Sequence, residues 1–185
     1  MLIPVLGMDP SLRHWGLAEG NLDLTAGVLS TPIGSIIEPK DLEGKQVRVN
    51  SNDLWLAEQL STPVFLAVKK AKIIFVECPV GSQSARTMAA YGVQMGILGM
   101  IRAMGIPLIE VTATENKKVF TGKRTATKRE MIDQLIVYYP EIILPPGKGG
   151  KPGDKSEHIA DAVASIHSGV RTPMFQNLLR LFNEV

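Results

Sequence analysis

Two rhythms of apolar and polar positions divide the chain. Residues 2–8 (LIPVLGM) form an almost unbroken apolar run closed by Asp9, the pattern of a short buried strand. His14 to Leu24 (HWGLAEGNLDL) partly alternates and predicts a second strand. Ala26 to Thr31 predicts a third, joined to it through the turn-prone Asn21–Asp23 stretch. Residues 32–50 carry two prolines, two glycines and several charges, which predicts a loop or small hairpin insertion. Ser51 or Asn52 can cap a helix that runs to about Lys70 and is interrupted at Thr62-Pro63.

Beyond that point the pattern alternates between strand and helix. Lys72 to Glu77 (KIIFVE) is apolar and β-rich up to its final carboxylate, as in a central strand buried on both faces. Pro79 stops it, and Ser82 or Ser84 starts a long helix to about Met104. Ile106 to Val111 predicts another strand, 113–120 a short helix, and Thr127 to Tyr139 a clearer one. Residues 145–155 (PPGKGGKPGDK) read as a mobile Pro/Gly/Lys loop. Ser156 caps a helix to about Ser168, and Thr172-Pro173 opens a C-terminal extension, 172–185, with Phe175, Leu178, Leu179 and Phe182 on one stripe. Strands first, then alternating strands and helices, predict an α/β sheet with an antiparallel part.

Composition narrows this picture. A length of 185 residues predicts one domain, 1–185. Cys78 is the only cysteine, which excludes disulfide frameworks and clustered-cysteine zinc sites. The longest apolar stretch, Met88 to Ile101, is too short to span a bilayer, and the N-terminus lacks the basic flank of a secretory signal. No membrane partner and a cytoplasmic location are therefore expected. The net charge of +2 hides a segregation. Residues 116–129 hold six lysines and arginines and no acid, and 145–155 hold three lysines and one acid. The remainder has 11 basic and 17 acidic residues, so the basic segments read either as a polyanion site or as a solvated face.

Three acidic positions stand out by where they fall. Asp9 and Glu77 end predicted strands, and Asp161 sits among alanines in the helix SEHIADAVASIHS. Carboxylates converging at one sheet edge repel and lose solvation unless a cation lies between them, and hard oxygen ligands suit Mg²⁺ or Mn²⁺. His158 and Glu157 lie on the Asp161 face at i,i+3 and i,i+4 spacing. Each position has an ordinary alternative. Asp9 can form an Asp-Pro turn, Glu77 a strand-end ion pair, Asp161 an exposed helix acid. His158 can be a packing histidine, and Glu157 a first-turn charge favoured by the helix dipole. His14, Trp15 and Trp55 belong to no constellation and read as packing residues. Ala89, Gly92, Gly96 and Gly99 form a small-residue helix face, for packing within the chain or for a homodimer seam.

With these residues in view, the chain resembles RuvC-type Holliday junction resolvases of the RNase H-like nuclease superfamily. LGMDPSLRHWG (Leu6 to Gly16) is similar to the family's opening strand and turn, with Asp9, Pro10, Arg13 and Gly16 at the family's spacing. IIFVE (Ile73 to Glu77) resembles its central strand with the catalytic Glu. Lys117, Lys118, Gly122 and Lys128 resemble its DNA-contacting lysine segment, and HIADAVA (His158 to Ala164) its terminal acidic helix. The match covers about residues 3–168, without 32–50 and the tail from 172.

The resemblance implies an RNase H-like mixed five-stranded sheet flanked by helices. It implies catalytic metal ligands at Asp9, Glu77 and Asp161, with His158 in the place of a fourth acidic residue. Lys128 would act in catalysis, and Arg13, Lys117, Lys118, Lys123, Arg124, Lys128 and Arg129 would contact DNA. The implied activity is Mg²⁺-dependent cleavage of four-way junctions by a homodimer built on helix 82–104, on nucleoid DNA if the source is bacterial or phage. The alternatives are a related nuclease on other branched DNA or RNA, and a non-catalytic nucleic-acid-binding module. Two positions depart from the family pattern: Val80 stands where an aromatic is frequent, and Arg124 replaces a turn glycine.

Overall fold

The computed structural model describes residues 1–44, 47–81 and 83–183, with side chains up to residue 180. Strands β1 (Leu2–Asp9), β2 (Trp15–Asp23), β3 (Val28–Leu29), β4 (Ile33–Ile37), β5 (Ile73–Glu77) and β6 (Leu108–Val111) form one sheet. Its order is β3-β2-β1-β5-β6, with β4 also paired to β2. β1 and β2 are antiparallel along their whole length, whereas β1, β5 and β6 run parallel. The helices are α1 (Val49–Val68), α2 (Ala85–Ala103), α3 (Ala113–Thr121), α4 (Lys128–Tyr138), α5 (Ser156–Gly169) and α6 (Pro173–Asn183).

Strand alternation sorts the core into two layers. Ile73 and Phe75 of β5 join Val5 of β1 against α3, α4, α5 and α6. Ile74 and Val76 join Leu6 and Met8 against α1 and α2. A parallel central strand buried on both faces must be apolar at every position, which is why IIFV carries no polar residue until Glu77.

The sheet has six strands where five were expected, and the sixth comes from the stretch read as an insertion. Ile33–Ile37 pairs with Trp15–Glu19, and Ile36 packs against the core. Its prolines and charges flank a five-residue strand too short to show a period. Helix α1 runs through Pro63 without the expected interruption. Its buried stripe of Leu56, Leu60, Val64 and Val68 outweighs the backbone bond that proline forfeits. Ser84 caps α2 by accepting from the Thr87 amide, while Ser82, the other candidate cap, lies outside the described residues. Ser156 does not cap α5: it is the first helical residue, and its hydroxyl donates to the Pro145 carbonyl. Thr112 and Thr127 close reciprocal capping boxes with Glu115 and Glu130 at the starts of α3 and α4. Phe175 of α6 packs on Phe75, with ring centroids 5.6 Å apart, whereas the side chain of Phe182 lies outside the described residues.

Helix α5 lies closest to the sheet. A Cβ at Gly7 would collide with the Ala162 carbonyl, one at Gly16 with the His158 carbonyl, and one at Gly169 with the Phe75 ring. Alanines on the helix and glycines facing it bring backbone against backbone. Gly7→Ala is expected to destabilise the protein by about 3 kcal/mol or more, because neither backbone can yield. Gly20→Ala, which meets only the movable side chains of Leu29 and Pro32, is expected to cost under about 1 kcal/mol. Urea unfolding of the two variants checks the contrast.

Candidate active site

Register assembles the first part of the site. Met8 of β1 lies beside Val76 of β5, so the next residues, Asp9 and Glu77, leave the sheet as neighbours at its carboxyl edge. Side chains alternate along a strand, so Asp9 shares the face of Val5 and Gly7, and Glu77 that of Ile73 and Phe75. That is the face covered by α5, whose contacts at Gly7 and Gly16 bring Asp161 and His158 over the same edge.

The predicted residues therefore come together. His158 Nδ1 and Asp9 Oδ2 are 2.6 Å apart. Asn116 of α3, fully buried, donates through Nδ2 to Glu77 Oε2 at 2.7 Å. Lys128 donates to Glu157, and the other imidazole nitrogen of His158 lies 3.8 Å from the same Glu157 oxygen. Asp161 Oδ1 is buried and has no hydrogen-bond partner among the described residues, and the same holds for Asn116 Oδ1.

The electrostatics follow from this crowding. Burial, then the Asp9 charge, push the Glu77 carboxyl up to about 7, against the Asn116 bond and Lys117. Burial pushes Asp161 up to about 8, and Asp9, Glu77 and Glu157 add to it. Lys117 opposes the shift at both groups, which places its ammonium within range of the cluster. Among the described residues, no three carboxylate or imidazole groups stand close enough to hold one ion as placed. The bonds to His158 and Asn116 engage one oxygen each of Asp9 and Glu77.

The other basic candidates divide. Arg13 pairs with Asp41 at 2.6 Å, Lys123 with Glu130 at 2.5 Å and Arg129 with Asp133 at 2.8 Å, all at the surface. Lys118 and Arg124 are exposed. Three participants were not foreseen as such. Asn116 sits in a polar run with nothing to mark it. His14 was assigned to packing, yet its ring stacks on His158 at 5.4 Å and 13°. Burial, then His158 and Lys155, lower its pKa. Glu157 is a nearly buried acid, 9 % exposed, tied to Lys128 rather than a first-turn surface charge. Its i,i+4 spacing from Asp161 was the available signal.

Helix α2 presents Gly92, Gly96 and Gly99 with no atom near where a Cβ would stand, so this face is not used for packing among the described residues. No described helix is long and apolar enough to cross a membrane.

No protein-family model and no curated protein matches this sequence. Solved structures do match its fold. RuvC of Thermus thermophilus, in complex with a Holliday junction substrate, is 15% identical and superposes with a TM-score of 0.62, covering 90% of this chain and 92% of its own. A second structure of Thermus thermophilus RuvC, also 15% identical, gives a TM-score of 0.59, with 95% of this chain and 96% of its own covered. The chain thus has the RNase H-like fold of RuvC, a mixed sheet flanked by helices.

Proposed function

We propose that the chain is a Mg²⁺-dependent endodeoxyribonuclease that resolves four-way DNA junctions as a homodimer. The observation that carries the reading is the buried, unpartnered Asp161 oxygen beside Asp9 and Glu77, at the carboxyl edge of a RuvC-like sheet. These residues fit a hard divalent cation, since they offer carboxylate oxygens, an excess of negative charge and a donor with no other partner. Asp9, Glu77, Asp161 and His158 would hold it. Bound there, Mg²⁺ or Mn²⁺ supplies Lewis-acid activation of water and stabilisation of the leaving oxygen.

The protein's own groups do the rest. Asp9 and the His14 ring orient His158, which leaves Nε2 as the nitrogen that would face the ion. Glu157 holds the Lys128 ammonium near Asp161, where it offsets charge developing on phosphorus oxygens. Arg13, Lys117, Lys118, Lys123, Arg124 and Arg129 bind backbone phosphates. The open glycine face of α2 is the dimer seam, and two-fold symmetry matches paired nicks on a four-way junction. The setting would be DNA in the cytoplasm, in the nucleoid if the source is bacterial or phage.

One observation favours a second reading. Val80, 82 % exposed where the resemblance calls for an aromatic ring, offers no stacking surface for a junction base. Cleavage of flaps or RNA–DNA hybrids in preference to four-way junctions would support that reading.

Two tests follow. Asp9→Asn is expected to lower Mg²⁺-dependent cleavage of a labelled junction by about 10³-fold or more, with binding in Ca²⁺ retained, because several kcal/mol of charge stabilisation go with the ion. Undiminished nicking by the purified variant overturns the assignment. The second test is thermal. Glu77 near 7 and Asp161 near 8 keep protons that the unfolded chain has already released, so stability falls as pH rises through these values. His167, lowered to about 4 by burial, acts with the opposite sign, but only below about 6.5. Between pH 6.5 and 8.5 the metal-free Tm is expected to drop by roughly 5–10 °C. Mg²⁺ should restore it, more at pH 8.5 than at pH 6.5, and Asp161→Asn should leave only the smaller drop due to Glu77 and weaken the Mg²⁺ effect in a fluorimetric melt.

A further inference from the structure

The Pro/Gly/Lys stretch after α4 is not the shapeless loop its composition suggests. Pro146 and Pro152 form an antiparallel bridge. The Gly147 amide donates to the Lys151 carbonyl at 2.7 Å and the Gly153 amide to the Pro145 carbonyl at 2.9 Å. Gly149 and Gly150, in the three-residue loop 148–150 that this register leaves, both have positive φ, 69° and 74°, a conformation that favours glycine. At the base the strands cross so closely that a Cβ on Gly147 would lie 2.7 Å from the Gly153 Cα. This is a built miniature hairpin, and its backbone demands glycine at the turn and at the base.

No core packing accounts for it, since none of residues 146–153 is buried and the hairpin belongs to no part of the main sheet. What it presents is Lys148 and Lys151, exposed, one in the loop and one at the first position after it. Among the described residues neither lysine has a carboxylate partner, whereas Lys155, four residues on, is paired with Glu38 at 2.6 Å. A rigid tip with two uncompensated ammonium groups is suited to a polyanion.

Position identifies the polyanion. The hairpin runs straight into α5, and the Ser156 hydroxyl and amide tie back to Pro145 and Gly153. Lys151 is seven residues from His158, so the two lie no more than about 25 Å apart. On a strand rising about 3.4 Å per nucleotide, that is within about seven nucleotides of the bond being cut.

We infer that hairpin 146–152 is a second nucleic-acid contact, a two-lysine clamp on the backbone phosphates of the duplex arm flanking the cleavage site. The inference rests on the nuclease reading above and adds to it a contact outside the segment 116–129. The clamp is independent of base identity, because ammonium groups read phosphate and not sequence.

The test measures binding of a labelled four-way junction in Ca²⁺ at several salt concentrations, for wild type and for Lys148→Gln/Lys151→Gln. The variant is expected to bind about tenfold more weakly in low salt. Its log–log salt slope should be shallower by about 1.8, two phosphate contacts at about 0.9 each. The cleavage rate at saturating junction should be unchanged. Lys148→Arg/Lys151→Arg should bind like wild type, which separates charge from hairpin folding. Phosphate-ethylation interference should lose signals within about seven nucleotides of the nick in the Gln variant. Wild-type binding with a salt slope that the Gln variant shares overturns the clamp and leaves the nuclease reading standing. Wild-type protein without salt-dependent DNA binding overturns both.

Discussion

The seating of α5 on the sheet is the constraint from which the rest follows. Ordinary helix–sheet packing leaves room for side chains between the layers, but here carbonyls of the helix approach glycines of β1 and β2 directly. Two such contacts, at Gly7 and Gly16, and the close fit of the helix's own Gly169 on the Phe75 ring fix the height, tilt and rotation of the helix together. Rotation is the consequential one. A turn of one residue would swing Asp161 and His158 by about 100° and separate them from the strand ends. The Ser165 hydroxyl, donating to the Phe75 carbonyl at 3.2 Å, pins the same orientation from the other end of the helix.

Such a fixed seat is needed because the site resists its own assembly. Asp9, Glu77, Asp161 and Glu157 bring four acidic groups under one helix end, and burial removes the water that would screen them. Lys128, Lys117, His158 and Asn116 compensate in part. The remainder shows as the raised pKa values of Glu77 and Asp161 and as an orphaned oxygen. Repulsion of this kind acts to lift α5 off the sheet. The apolar layer beneath it, Ile159, Ala160, Val163 and Ile166 against Val5, Ile73 and Phe75, holds it down. Stability is generated in the core and drawn on at the edge, as in sites that await a ligand charge.

How much of this was legible in the sequence depends on the range of each interaction. The strands ending at Asp9 and Glu77 announce themselves, because full burial demands unbroken apolar runs and a carboxylate at the end of one is conspicuous. The helix carrying Asp161 was equally plain from its alanines. β4 was hidden because five residues between prolines show no period, and only pairing with β2 makes them a strand. Pro63 misled because local propensity counts the lost bond and not the buried stripe. Asn116 and His14 could not be placed in the site, since each acquires its role from a partner distant in sequence, whereas Glu157 was marked by its spacing from Asp161 and only its burial and its bond to Lys128 were hidden. The hairpin at 146–152 was half legible: the glycines marked a turn, but the closing bridge between two prolines left no signal.

The cations then fall into two kinds. Arg13, Lys123 and Arg129 are paired with Asp41, Glu130 and Asp133 on the open surface, where solvent screens an ion pair and it contributes little. Exchanging such a partner for a phosphate costs little, so these residues can serve a polyanion without a conformational change. Lys128 differs, because its partner Glu157 has only 11% of its side chain exposed. Withdrawing the ammonium would leave a buried carboxylate beside Asp161 with only the more distant His158 ring near it, a larger penalty than losing a surface pair. On the proposed reading, Lys128 would stay with the acidic cluster whether or not DNA is present, while the surface cations would be free to change partners.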